Sequence, residues 1–200
     1  MSVAADRGTS LQKEWWLRTF AVFHRPRLVF AALRDDDSDE DAEARQEPVL
    51  ALVSLAGIAA VLSTSLAGRA LDDPAFSNSF LAVLSWAFIG GLVYGAIVYW
   101  LGGLIVHAIA SALRTESTYR QARHLVAFAA APLALSLLLV WPIRIAIYGN
   151  DLFRSGGSDT GAGEVLFDLL ILASYAWTFG LVALGLLELR KRSSSSSGIS

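Results

Sequence analysis

The feature that most restricts the fold of this chain is a set of four long apolar segments, at residues 49–67, 80–113, 125–148 and 165–187. An α-helix rises about 1.5 Å per residue and the hydrocarbon core of a bilayer is about 30 Å thick, so about 20 apolar residues cross it. Soluble domains rarely collect apolar residues into such runs. The pattern predicts an all-α, polytopic membrane helix bundle within residues 48–188. Its four transmembrane helices are expected at residues 49–67, 81–110, 125–148 and 165–187.

The second apolar segment is too long for one straight crossing, and the sequence leaves two arrangements open. The segment forms one long tilted helix, or it breaks at Gly102-Gly103 and leaves residues 104–113 as a short interfacial or re-entrant piece. We favour a crossing over about residues 81–103, followed by a helical extension.

The basic residues predict the orientation of the helices. Arg and Lys accumulate before the first segment, in the loop after the second and in the tail, whereas the other two loops contain only Arg69 and Arg154. Short loops rich in Arg and Lys stay on the cytoplasmic side of a membrane. With four crossings, all the basic stretches fall on that side. We therefore expect a multi-pass protein of the plasma membrane with both termini in the cytoplasm.

Residues 1–47 form a cytoplasmic segment in this scheme. Aromatic residues and Arg are interspersed over residues 11–34, and Pro26 fits the first turn of a helix, so we expect amphipathic helices there. Two interpretations remain open: these helices lie in the headgroup layer, or they pack as a cap on the cytoplasmic ends of the bundle. Residues 35–47 begin with an acidic run and predict a solvated linker. The serine-rich residues 189–200 predict a disordered cytoplasmic tail.

Two ionisable side chains inside the apolar segments are candidates for a specific role, because charge is costly in hydrocarbon. Arg144 lies four residues before the end of the third segment and Asp168 three residues after the start of the fourth. Both therefore lie about 5–6 Å inside the same, outer face. We predict a structural ion pair between the two helices, direct or through water, rather than a proton relay. The alternative is that Arg144 extends to the outer headgroups and Asp168 lies at the interface alone.

Small residues predict close contacts between helices. Gly91 and Gly95 form a G-x-x-x-G motif on the second helix, and Ala176 and Gly180 form a related pair on the fourth. Small side chains let two helix backbones approach closely. Each pair fits a contact within the bundle, which we favour, or a dimer interface.

The third helix carries signals for bends and for its start. Pro132 and Pro142 predict kinks, because proline cannot donate the helical hydrogen bond and its ring crowds the preceding turn. Thr118 and Gln121 have the spacing of a capping box at the cytoplasmic start of the helix.

The sequence contains no arrangement of residues typical of an enzyme or a metal site. Its three histidines lie on separate segments without ligand spacing, and there is no cysteine. No glycine-rich phosphate loop follows a strand, and the net charge of −2 gives no argument for nucleic acid. We therefore expect a non-enzymatic protein without a cofactor, a metal, a nucleic-acid partner or an identifiable small-molecule substrate.

Several features together resemble a known family. Arg25-Pro26 is followed by Phe30 ahead of the membrane domain, Gly102-Gly103 closes the second crossing, and the basic turn 117–123 leads into a helix with Pro132. Over roughly residues 20–187 the chain is similar to the Yip family of multispan membrane proteins, named for interacting with Ypt/Rab-type GTPases, and in particular to its prokaryotic branch. The family usually has five crossings, so the resemblance implies that its last helix is missing here.

The resemblance implies a membrane-organising or partner-binding role. The expected partners are the lipid bilayer and, as further candidates, other membrane proteins or a second copy of the chain. The alternative function is a subunit of a transporter or channel, which requires polar residues along a path or broken helices. Its support in the sequence is the proline-bent third helix and the level shared by Arg144 and Asp168.

Overall fold

The computed structural model describes residues 2–35, 39–76, 79–115, 117–159 and 161–196. These residues form helices and contain no strand. The α-helices are α1 (Ser2–Ala21), α2 (Pro26–Asp35), α3 (Asp39–Leu62), α4 (Phe80–Ala112), α5 (Tyr119–Ala129), α6 (Ala131–Tyr148) and α7 (Ala162–Ser196). Short 3-10 helices cover Ala67–Asp72, Pro74–Phe76 and Gly149–Phe153.

Four helical stretches are long and apolar enough to cross a membrane: Arg45–Leu62, Phe80–Ala112, Tyr119–Phe153 and Ala162–Arg190. The all-α fold and the four membrane-spanning stretches expected from the sequence are therefore confirmed. The structure also decides between the two arrangements of the second stretch, because α4 is one continuous helix of 33 residues, about 50 Å long. Gly102-Gly103 does not break it.

The first crossing differs from the expected 49–67 at its end. Helix α3 stops at Leu62, where the Ser63 hydroxyl donates to the Ala59 carbonyl and the Thr64 hydroxyl donates to the Val61 carbonyl, both at 2.7 Å. Serine and threonine side chains that bond nearby carbonyls compete with the helical backbone and favour its termination.

The acidic linker expected over residues 35–47 is wrong in its larger part. Helix α2 extends to Asp35, and α3 already begins at Asp39. Carboxylates favour a helix N-terminus because the free amide groups there carry partial positive charge, so an acidic run can start a helix instead of forming a loop. Residues 36–38 lie outside the described part of the chain.

The disordered tail expected over residues 189–200 is also wrong over residues 189–196. Helix α7 continues through these residues to Ser196. The sequence Leu186–Arg192 consists of strong helix formers, which favour continuation past the apolar segment. Residues 197–200 lie outside the described part of the chain.

The third crossing is built from two helices. The capping box is confirmed: Gln121 N donates to the Thr118 hydroxyl at 3.2 Å, and Thr118 N donates to Gln121 Oε1 at 3.1 Å. Helix α5 therefore begins at Tyr119, and it ends at Ala129. Pro132 lies in the first turn of α6, so the expected kink is a break between two helices, because proline tolerates a first turn and not an interior. Pro142 lies inside α6 without ending it.

The chain divides into two compact units. The first comprises the described residues of 1–52, 98–131 and 179–200, and its buried core includes Trp15, Val22, Phe30, Leu33, Leu125, Phe128, Leu181 and Leu189. The second comprises those of 53–97 and 132–178, and its buried core includes Leu62, Leu71, Val83, Trp141, Phe153 and Ile171.

A hydrogen-bonded link joins the two loops of the second unit. The Ser155 amide donates to Asp72 Oδ2 at 3.1 Å, and the Ser155 hydroxyl donates to the same carboxylate. These bonds favour the charged form and hold the pKa of Asp72 below its ordinary value. The loop after α3 is therefore fixed to the loop after α6.

Candidate functional site

Within the first unit, helices α1 and α2 each pack one face against its buried core. Trp15 is fully buried, with its ring 5.7 Å from the ring of Phe128 in α5, and the guanidinium of Arg45 lies 4.9 Å from the same indole. Thr19 of α1 and Val22, directly after the end of α1, are buried on the same side as Trp15. This spacing of four and three residues is one face of a helix. Through this face, α1 contacts α5, which belongs to the third membrane-crossing stretch.

Polar contacts fix the end of α2. Gln121 of α5 donates from Nε2 to the Arg34 carbonyl at 3.0 Å, and Arg34 donates from Nη1 to the Glu188 carbonyl at 3.4 Å. Helix α2 is thus joined to α5 and to α7 by side chains that bond the backbone. The N-terminal helices are held by these bonds as well as by apolar packing.

The opposite faces of α1 and α2 carry large apolar side chains with no cover in the described chain. Leu17, Phe20 and Leu28 are 61%, 67% and 62% exposed, and we call these three residues the exposed stripe. Exposed cations lie beside it: Lys13 one helical turn before Leu17, and Arg27 next to Leu28. An apolar face next to cations is typical of helices that lie on a membrane surface.

A second cluster in the first unit surrounds Arg123. Its guanidinium lies 4.1, 4.9 and 5.3 Å from the ring centroids of Trp100, Tyr119 and Tyr99. The Tyr119 hydroxyl donates to the Trp100 carbonyl at 2.8 Å. These distances are within the range of cation–π attraction. The sequence interpretation used Arg123 for orientation and for the family resemblance. It did not predict this cluster, although the pair Tyr99-Trp100 and Tyr119 four residues before Arg123 were visible signals.

The second unit brings three charged residues together near the end of α6 and the start of α7. Arg144 Nη1 lies 3.4 Å from Asp168 Oδ1, and Arg144 Nη2 lies 3.4 Å from Asp159 Oδ2. The side chains of Arg144 and Asp159 are only 11% and 13% exposed. Sequence reasoning placed Arg144 and Asp168 at one level, but it did not identify Asp159. Asp159 lies in the loop between α6 and α7. In the sequence, only the presence of aspartates in that loop indicated a possible partner for Arg144.

A cavity of about 590 Å³ opens beside Arg144. It is lined by the end of α3, by Tyr94 of α4, by Trp141 and Arg144 of α6, and by residues of α7. Glu164 and Asp168 lie in its wall with several apolar residues. We call this space the arginine cavity.

Glycines allow α3 and α4 to cross closely. A Cβ added to Gly57 would meet the Gly91 carbonyl oxygen and would lie 2.8 Å from Gly95 Cα. A Cβ on Gly91 would lie 2.6 Å from Ile58 N. The G-x-x-x-G motif thus contacts a neighbouring helix within the second unit, and Gly57 is a partner that the sequence interpretation missed.

The small pair on the fourth crossing differs from the favoured expectation. A Cβ on Gly180 would meet no described atom within 4 Å, and Ala176 is exposed. Within the described residues, no close helix contact forms at Gly180. A dimer interface at this pair stays a prediction.

The chain was compared with protein-family models, curated proteins and solved structures. The family model described as the Yip1 domain matches residues 20–199. No curated protein and no solved structure matches the chain.

Proposed function

This chain belongs to the Yip1 domain family, and from that premise we propose that it is a non-enzymatic protein of the plasma membrane, with both termini in the cytoplasm, that organises the bilayer through α1 and α2. The family and the four apolar helices make it a multi-pass membrane protein. In the proposed arrangement, the exposed stripe inserts among the headgroups and acyl chains of the cytoplasmic leaflet.

The observation that supports the proposal is that α1 and α2 carry apolar side chains on two faces, one buried and one exposed. Trp15 and Phe30 pack inward, whereas Leu17, Phe20 and Leu28 remain exposed. A helix that served only as a cap would need one apolar face. A second apolar face favours contact with another apolar medium, because exposing large apolar side chains to water is unfavourable.

The charge and position of the two helices support the bilayer as that medium. Fully burying a Leu or Phe side chain contributes about 1.5–3 kcal/mol. Each Lys or Arg near an anionic surface adds about 1 kcal/mol, and Lys13, Arg25 and Arg27 are exposed beside the stripe. The first membrane-crossing stretch begins at Arg45, so the connection keeps α2 near the headgroups and raises its effective concentration there.

The depth of the stripe can be measured, because the chain contains no cysteine. We expect a fluorophore on Phe20→Cys to be quenched strongly by nitroxide-labelled lipids in nanodiscs. A fluorophore on Glu14→Cys, an exposed position about 120° around α1 from Phe20, serves as the control and should be quenched more weakly. Equal quenching at the two positions would contradict insertion of the stripe.

The organising role requires a second measurement. We expect Leu17→Ser, Phe20→Ser and Leu28→Ser together to remove any change that the parent chain makes to vesicle diameter, measured by electron cryomicroscopy at equal protein-to-lipid ratio. The packed face of α1 and α2 is untouched, so the variant should fold. Leu66→Ser, at an exposed apolar residue outside α1 and α2, should behave as the parent chain. A triple variant that acts like the parent would mean that the stripe has another partner.

A further inference from the structure

We propose that the arginine cavity binds a phospholipid whose headgroup carries both a phosphate and a protonated amine, as phosphatidylethanolamine does. In this site Arg144 and Trp141 donate to the phosphate, Glu164 accepts from the amine, and the acyl chains leave along α7. The site lies in the second unit and is independent of the proposal for α1 and α2.

The size and walls of the cavity fit a headgroup with the start of its acyl chains. Its volume of about 590 Å³ is within the usual range for small-molecule sites. Ala60, Ile171 and Leu172 give it an apolar wall. Leu172 is 61% exposed although it belongs to a membrane-crossing stretch, so the cavity opens beside it toward hydrocarbon. A ligand with acyl chains can enter by that route.

Two buried hydrogen-bond donors in the wall of the arginine cavity lack an acceptor. Arg144 Nε and Trp141 Nε1 are buried and have no hydrogen-bond partner among the described residues. The two carboxylates beside Arg144 both lie at 3.4 Å, whereas charge-assisted bonds are usually 2.7–2.9 Å long. Buried polar groups without partners are unfavourable. A phosphate, with several acceptor oxygens, supplies what both donors lack.

The carboxylates around the cavity also give it an excess of negative charge, which a bound cation would offset. Arg144 carries one positive charge, whereas Asp159, Glu164 and Asp168 are three carboxylates around the same site. An ammonium group offsets part of this excess and donates up to three hydrogen bonds. Within the described residues, no three acidic or histidine side chains come together as metal ligands. An amine therefore fits the site better than a metal ion.

The order of the groups along the helices matches that of a phospholipid. Trp141 lies seven residues and Arg144 four residues before the end of α6, so the donors are about 10 and 6 Å inside the helix end. Glu164 lies two residues after the start of α7, about 3 Å inside. In a phospholipid the phosphate lies nearer the acyl chains than the amine does. The deeper donors thus face the phosphate and the shallower carboxylate faces the amine.

Lipid binding to the full chain can be measured by native mass spectrometry from detergent micelles. We expect phosphatidylethanolamine to bind more tightly than phosphatidylcholine or phosphatidylglycerol. Glu164→Gln should weaken phosphatidylethanolamine about tenfold, the effect of one lost charge-assisted hydrogen bond, and leave phosphatidylglycerol unchanged. Trp141→Phe should weaken all three lipids, and it leaves the Arg144 ion pairs in place.

A filled cavity gives the matched control. Leu172→Trp should block binding, whereas Leu169→Trp, a similarly exposed position of α7 outside the cavity wall, should leave it unchanged. Equal affinity for the three lipids, or no effect of Glu164→Gln, would overturn recognition of the amine. Equal effects of the two tryptophan variants would overturn the location. Displacement of the lipid by soluble phosphoethanolamine at equal concentration would overturn the lipid as the source of the headgroup.

Discussion

Single residues decide the closest contacts of this protein. Gly57 of α3 lies against Gly91 and Gly95 of α4, and no side chain larger than hydrogen fits between these backbones. The motif on α4 was readable in the sequence because its glycines are four residues apart. Gly57 was not, because one glycine on a helix gives no spacing to recognise.

At this scale, we predict that Gly57→Ala lowers the free energy of unfolding by about 1–3 kcal/mol relative to Gly180→Ala. Both substitutions replace a helical glycine, so the gain in helix propensity is shared. The difference arises because the new methyl group meets the Gly91 backbone at position 57 and open space at position 180. Equilibrium unfolding in detergent measures the two values, and equal values would contradict the close crossing.

Among the elements, α5 contacts both N-terminal helices. Its start is fixed by the capping box of Thr118 and Gln121, and Phe128 near its end contacts Trp15. Gln121 has a second role, because its amide donates to the Arg34 carbonyl of α2. The sequence predicted the box from its local spacing. The bond to α2 joins residues 87 positions apart, and no local pattern indicates it.

We therefore predict that Gln121→Ala loosens α2 as well as the start of α5. Amide hydrogen exchange over residues 26–35 should become faster, because α2 loses a bond that fixes its last turn. Thr118→Ala removes only the cap, at about 1 kcal/mol, and should leave exchange over residues 26–35 unchanged. If both variants raised exchange in α2 equally, the Arg34 contact would not hold the helix.

For the whole molecule, the distribution of Arg and Lys predicts an orientation in the membrane. The turn after α4 contains Arg114, Arg120 and Arg123, whereas the loop after α6 contains Arg154 with two aspartates. With four crossings, we expect both termini on the side of the basic turn, in the cytoplasm.

Single cysteines test this orientation, since the chain has none of its own. We predict that Ser158→Cys reacts with a membrane-impermeant maleimide in intact cells. Ala112→Cys should react only after the membrane is permeabilised. Both positions are exposed, so accessibility within the protein does not distinguish them. The reverse pattern would contradict the cytoplasmic placement of the termini.

The sequence by itself determined the four crossing helices and the family resemblance. It also determined that Arg144 and Asp168 lie at a similar depth from the neighbouring ends of their helices. The four crossing helices follow from composition, because a run of about 20 apolar residues is stable in hydrocarbon. The resemblance, drawn from short motifs such as Arg25-Pro26 and Gly102-Gly103, is confirmed by the family match. The shared level needs only the helical rise per residue.

Only the tertiary structure decided which partners these residues meet. It placed Asp159 beside Arg144, ended α5 at Ala129 and buried Trp15 against Phe128. It also left Leu17, Phe20 and Leu28 exposed on the opposite faces. The physical reason is that a helical pattern defines which side chains share a face, whereas contacts between elements distant in sequence decide which of those faces is covered.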